Sequence, residues 1–324
     1  MRWFKDQDWF DNALAQTLLD AAASAEAAGA PAPQELGAVE LRALFKATRG
    51  ELTPEPPDVG HVEDLSVPGP AGGVPVRYYR PKGANESAKL PMLLYFHGGG
   101  WMVGDIETHD VICRMLANRG RFAVANVDYR LAPENKFPAA IEDSWAVTQW
   151  AINGAGGLSI DTGRIGVGGD SAGGNISAVL ALMARDAGLS LAFQALIYPA
   201  THFSLETESH YRFANGYLLT RDAQAWYHES YLRSAADRDH WWASPALAGD
   251  FTNVAPAFVL TCGYDPLLDE GKAYADLLKA AGVPVAYRCF DGQVHGFITM
   301  GKVIDEANEA VTDVAKRVAA SFYD

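Results

Sequence analysis

The chain has 324 residues, 49% of them hydrophobic, and a formal net charge of −14. That length supports one large core with an appendage, or two domains, and the acidic balance argues against nucleic acid and anionic membrane surfaces as partners. No apolar run is long enough to span a bilayer, and the N-terminal Met1–Asp8 lacks an apolar signal core; with three cysteines at no metal-like spacing (Cys113, Cys262, Cys289), reduced thiols in a cytoplasmic protein are expected.

A helix is predicted over 9–29, with Trp9, Phe10, Leu14, Leu18 and Leu19 on one side and Gly29, Pro31 and Pro33 ending it. A second runs over 33–48, where Leu36, Val39, Leu41, Leu44 and Phe45 recur at near-helical spacing. Pro54, Pro56 and Pro57 make a stiff linker, so residues 1–55 read as a small helical piece ahead of the main domain.

The rhythm then changes. Segments 61–68 and 74–79 read as a hairpin around Gly69-Pro70-Ala71-Gly72-Gly73. Met92-Leu93-Leu94-Tyr95-Phe96 is a continuous apolar run of the kind that forms a buried strand. A helix over 109–118, a strand over 122–129 and a helix over 137–151 follow. Next come a strand over 164–168, a helix over 174–183 and a strand over 193–198. Such alternation predicts an α/β fold with a largely parallel sheet and helices on both faces. Residues 201–247 interrupt it with many aromatics and a predicted helix over 221–232. The pattern resumes with strands over 257–262 and 285–290 and helices over 270–281 and 303–322. The expected organisation is therefore a main domain of 56–200 and 248–324, with helical segments at 1–55 and 201–247.

Gly169-Asp170-Ser171-Ala172-Gly173 fits G-x-S-x-G and lies between a predicted strand and a predicted helix. A sharp turn there presents the serine above the sheet at a helix N-terminus, where free N–H groups favour a developing anion. His97-Gly98-Gly99-Gly100-Trp101 follows the strand ending at Phe96. Glycines there leave backbone N–H groups open, as an oxyanion site requires, with Ala172 as the further donor. No lysine and Ser/Thr follow them, so a P-loop is excluded. Asp265 and His295 each follow a strand, in the order serine, acid, histidine. Parallel strands bring those ends to one sheet edge, so Ser171, Asp265 and His295 are candidates for nucleophile, orienting acid and base in acyl transfer, chemistry that needs no metal or organic cofactor. Asp269 reads as the cap of the following helix. His61, His202, His210, His228 and His240 are expected at the surface or in the inserted segment. His109 is expected at a helix start or at the pocket mouth.

Six motifs carry a resemblance. They are His97–Trp101, Tyr129-Arg130-Leu131-Ala132-Pro133-Glu134, Phe137-Pro138-Ala139-Ala140, Gly169–Gly174, Asp265–Asp269 and His295-Gly296-Phe297. From about residue 60 onward the chain resembles the bacterial hormone-sensitive-lipase-like esterases of the α/β-hydrolase fold, in the subgroup with G-D-S-A-G at the nucleophile. The resemblance implies a serine carboxylesterase acting on short- to medium-chain acyl esters, with Ser171, Asp265 and His295 as the triad. It implies an oxyanion hole drawn from Gly98, Gly99, Gly100 and Ala172, with Gly98 the weakest donor. It also implies a cap made of the N-terminal segment and the insertion, and a homodimer as an option. Of the aromatics, Trp101, Phe203, Phe213, Tyr217 and Trp226 are candidates to line the substrate pocket. An amidase or arylformamidase uses the same tetrahedral path and stays open. A non-catalytic small-molecule receptor of this fold would lack the histidine that His295 supplies. The partner expected is a small-molecule ester.

Overall fold

The computed structural model describes residues 32–324 together with Asp20 and Ser24; the helix expected over 9–29 lies outside the described residues. The described chain builds one eight-stranded sheet. Its strands are β1 (His61–Gly69), β2 (Gly72–Arg80), β3 (Leu90–Phe96), β4 (Ala123–Val127), β5 (Ile160–Asp170), β6 (Phe193–Ile197), β7 (Ala257–Tyr264) and β8 (Val285–Val294). Their spatial order is β1-β2-β4-β3-β5-β6-β7-β8. The first three neighbours pair antiparallel, as the hairpin and its return. From β4 to β8 every pairing is parallel. The chain therefore goes from β3 to β4 on one side and then crosses over to β5 on the other side of β3, and a crevice opens at that switch point, above the strand C-termini.

Burial explains the strand sequences. β3 is buried along nearly its whole length, so it shows no polar alternation. Its alternate residues still divide between the faces. Met92, Leu94 and Phe96 join the cluster holding Val167, Ile176 and Val179. Leu93 and Tyr95 join the one holding Val311, Val314 and Val318. Those three valines sit on helix α8 (Asp305–Tyr323), whose buried residues recur every three or four positions. The other helices of the main body are α2 (Asp110–Gly120), α3 (Ala139–Ile152), α4 (Ala172–Asp186) and α7 (Leu268–Ala280). No described helix is long and apolar enough to cross a membrane.

Two helical pieces sit outside this alternation. Helix α1 (Ala38–Leu52) starts later than predicted, because Pro33–Glu35 forms a separate 3-10 turn and Gly37 caps the helix. Side chains tie α1 to the body. Arg42 donates to the carbonyls of Met102 and Ala132 at 2.8 Å each and pairs with Glu134 at 2.6 Å. Lys46 pairs with Asp105 at 2.9 Å. The insertion between β6 and β7 carries α5 (Glu208–Arg212) and α6 (Arg221–Tyr231), the latter capped by Thr220, whose Oγ1 accepts the Ala223 N–H at 3.1 Å.

The tightest point of the fold is where the turn after β5 meets the end of β3. A methyl group at Gly173 would stand 1.8 Å from the Phe96 carbonyl oxygen, and one at Gly169 would stand 2.2 Å from the same atom. These are backbone atoms and cannot swing aside. Gly50, inside α1, meets nothing within 4 Å. Gly173→Ala should therefore abolish recovery of folded protein. Gly50→Ala should raise stability by roughly 0.5–1 kcal/mol in urea unfolding, since alanine loses less backbone entropy in a helix.

Candidate active site

Four strand ends converge at the crevice. β5 ends at Asp170, and Ser171 follows with φ 55° and ψ −115°, a conformation a side-chain-bearing residue adopts only when held there. α4 starts at Ala172, so the serine sits directly at that helix's N-terminus. β7 delivers Asp265 and β8 delivers His295. His295 Nε2 lies 2.9 Å from Ser171 Oγ, and His295 Nδ1 lies 2.7 Å from Asp265 Oδ2. Asp265 is fully buried, and its second oxygen accepts the Leu267 N–H at 2.9 Å. That leaves Oδ2 for the histidine, with the proton on Nδ1 and the Nε2 lone pair facing the serine hydroxyl. The Tyr198 ring packs against the imidazole with centroids 4.7 Å apart. The structure thus brings together all three candidates.

β3 delivers the glycine loop. Gly98 donates its N–H to Asp170 Oδ1 at 3.0 Å. That bond takes Gly98 out of the expected oxyanion donors, because its hydrogen points into the protein. The N–H groups of Gly99, Gly100 and Ala172 have no acceptor among the described residues. Gly100 has φ +58°, and a methyl group there would stand 2.4 Å from the Tyr227 ring, which lies across the loop.

Asp170, between strand and nucleophile, joins the parts. Its Oδ1 also accepts the Tyr95 hydroxyl at 2.9 Å and lies 3.3 Å from His109 Nε2. Burial alone would push this carboxyl up, but His109 and the hydrogen bonds outweigh it and hold it at about 2. His97 is fully buried and stacked on Tyr129 at 4.3 Å. The Tyr129 hydroxyl donates to the His97 carbonyl at 2.6 Å. Burial, with His109 beside it, lowers His97 to about 4.

Above these atoms lies a cavity of about 230 Å³. Of the five aromatics expected to line it, only Trp101 does. Phe203 is buried behind Trp101 and stacks on His228 at 4.0 Å. Phe213 and Tyr217 pack with Tyr264 at the end of β7. Trp226 leans on Tyr227 at 5.1 Å. The lining comes instead from Tyr227, Leu218, Leu219 and Gln224 of the insertion and from Phe45 and Arg49 of α1. Other expectations also shift. His210 and His228 lie in the insertion, as one of the two expected placements, and are buried there, His210 lying 3.3 Å from Glu270, because the insertion docks its inner face on the body. Asp269 does not cap α7, whose cap is Leu267; its carboxylate accepts the Ser209 N–H at 2.9 Å and anchors α5. His109 stands at the start of α2, with no side-chain capping bond, and lines the cavity. Cys113, Cys262 and Cys289 are unpaired.

A family model described as alpha/beta hydrolase fold matches residues 93–299. Carboxylic ester hydrolase LipN of Mycobacterium tuberculosis is 44% identical over 77% of this chain and 68% of its own. Ethyl acetate hydrolase of Pseudomonas putida is 37% identical over 87% of this chain and 89% of its own. Among solved structures, an ester hydrolase from the metagenome of Lake Arreo superposes with a TM-score of 0.93 at 42% identity, covering 97% of this chain and 99% of that one.

The buried histidines generate a pH dependence. His97 is lowered to about 4 and His228 to about 3, both chiefly by burial, from an ordinary value of 6.5. The unfolded chain then binds more protons than the native one below about 6.5, so stability rises with pH there. Unfolding free energy in urea should be level near neutrality and fall as the pH drops through about 6.5 toward about 4. His228→Gln should flatten that slope relative to wild type.

Proposed function

The chain belongs to the hormone-sensitive-lipase-like carboxylic ester hydrolases of the α/β-hydrolase fold, and we propose that it cleaves short- to medium-chain acyl esters through Ser171, His295 and Asp265. The observation that carries this reading is the unbroken chain from Ser171 Oγ to His295 Nε2 (2.9 Å) and from His295 Nδ1 to Asp265 (2.7 Å), beside amides with no acceptor of their own.

In this mechanism His295 takes the Ser171 proton as Oγ attacks the ester carbonyl. The carbonyl oxygen becomes an oxyanion, bound by the N–H groups of Gly99, Gly100 and Ala172, with the positive end of α4 behind them. Asp265 steadies the imidazolium. The tetrahedral intermediate collapses, His295 protonates the leaving alcohol, and Ser171 holds the acyl group. Water, deprotonated by the same histidine, attacks the acyl-enzyme and releases the acid. Each oxyanion donor contributes roughly a hundredfold to a thousandfold in rate. The small cavity and its Trp101 wall support a preference for shorter acyl chains. A cytoplasmic location is part of the proposal, supported by the three unpaired cysteines.

The test is hydrolysis of p-nitrophenyl esters from acetate to palmitate. Wild type should act on the short chains and lose activity toward palmitate. Ser171→Ala should reduce kcat by roughly four or more orders of magnitude. Asp265→Asn should reduce it roughly ten-thousandfold, by leaving His295 in the wrong tautomer. Equal activity in wild type and Ser171→Ala would overturn the reading.

A further inference from the structure

One strongly charged group at the cavity has no task in this mechanism. Arg49, in the last turn of α1, lines the cavity with Phe45 and Tyr227. Its guanidinium lies 4.9 Å from the Phe45 ring centroid. It also packs against Gly296, the residue after His295, where a methyl group would stand 3.1 Å from Arg49 Nη2. Nη1 is buried and has no hydrogen-bond partner among the described residues. The other basic side chains of α1 that reach the body are neutralised, Arg42 by Glu134 and Lys46 by Asp105. The nearby carboxylate of Asp170 directs its Oδ1 to Tyr95 and Gly98, with His109 beside it, and makes no ion pair with Arg49. The Tyr198 hydroxyl, on the ring that packs against His295, is a second buried polar atom without a partner.

Burial works against the charge on Arg49, while Tyr198, Asp170 and Tyr227 favour it. An arginine stays cationic in such a place, because its guanidinium does not give up its proton in a protein. Arg49 is half-buried, and holding the Nη1 end of a cation away from water with no partner is unfavourable unless something offsets it. The planar fork of donors fits a carboxylate better than any other common group. Position says which half of the ester would carry it. His295 Nε2 protonates the leaving oxygen, so a group packed against Gly296 lies on the leaving-alcohol side. The protein's overall negative charge gives no long-range attraction for an anion, so recognition would depend on this contact.

We infer that Arg49 selects acyl esters whose alcohol half carries a carboxylate, that is, O-acyl hydroxy acids. The inference rests on the esterase reading above. The test compares kcat/KM for O-butanoyl-3-hydroxybutanoate with that for its neutral carboxamide isostere, in wild type, Arg49→Gln, Arg49→Lys and Ser171→Ala. Both substrates are assayed on the same preparation, so their ratio is independent of the folded fraction. Wild type should favour the carboxylate roughly ten- to hundredfold, as charge-assisted hydrogen bonds to a guanidinium do. Arg49→Gln should bring the ratio to about one, and Arg49→Lys should retain part of it. A wild-type ratio near one, or a ratio that Arg49→Gln leaves in place, overturns the inference while leaving the esterase reading intact. A preference seen only with a carboxylate on the acyl half, in monoethyl adipate against its amide, also overturns it. Equal turnover by wild type and Ser171→Ala on the carboxamide takes down the esterase reading and the inference together.

Discussion

A single buried carboxylate holds the parts of the candidate site in register. Asp170 ends β5 and precedes Ser171, so its backbone belongs to the nucleophile turn. Its side chain reaches β3 through Tyr95, the glycine loop through the Gly98 amide and the start of α2 through His109. Removing it would leave a buried amide and a buried phenol unsatisfied at the point where the backbones approach most closely. The same bond turns Gly98 inward, and the following two amides are thereby left free. The glycine loop thus derives its shape from a carboxylate whose hydrogen bonds point into the protein. The strain at Ser171 is held by this network together with the glycine contacts at Phe96.

The proposed chemistry and the cavity wall come from different layers. The candidate nucleophile, acid, base and amide donors all stand at strand ends in the parallel part of one sheet, whose spacing is set by backbone hydrogen bonds. The cavity wall comes from α1 and α6, held to the body by side chains such as Arg42 and Lys46 and by the aromatic stack of Trp101 on Tyr231 at 4.5 Å. Substitutions in the wall can change which ester fits without moving the sheet ends.

Strand and helix positions were legible because each has a local cause. A continuous apolar run marks β3, and alternation with helical periods forces a parallel sheet. Ser171, Asp265 and His295 were legible because each directly follows such a strand, and parallel strands bring their ends together. The wall was not. Phe203, Phe213, Tyr217 and Trp226 look like pocket residues by composition, yet they pack away from the cavity, while Arg49 and Tyr227 carry no signal that separates them from their neighbours. Which face of a short helix meets the site depends on how the helix docks. That docking is decided by contacts as distant in sequence as Arg42 with Ala132.

The sequence by itself determined the α/β framework, the order of the candidate catalytic groups and their arrival at one edge, because local hydrogen-bonding periods and strand direction suffice for these. Only the tertiary structure decided that Gly98 serves Asp170 rather than the oxyanion, that His210 and His228 are buried, and that Arg49 faces the cavity unpaired. Each of those outcomes depends on a partner brought from another part of the chain, and the competition for a hydrogen bond or an ion pair is settled only when all the partners are in place.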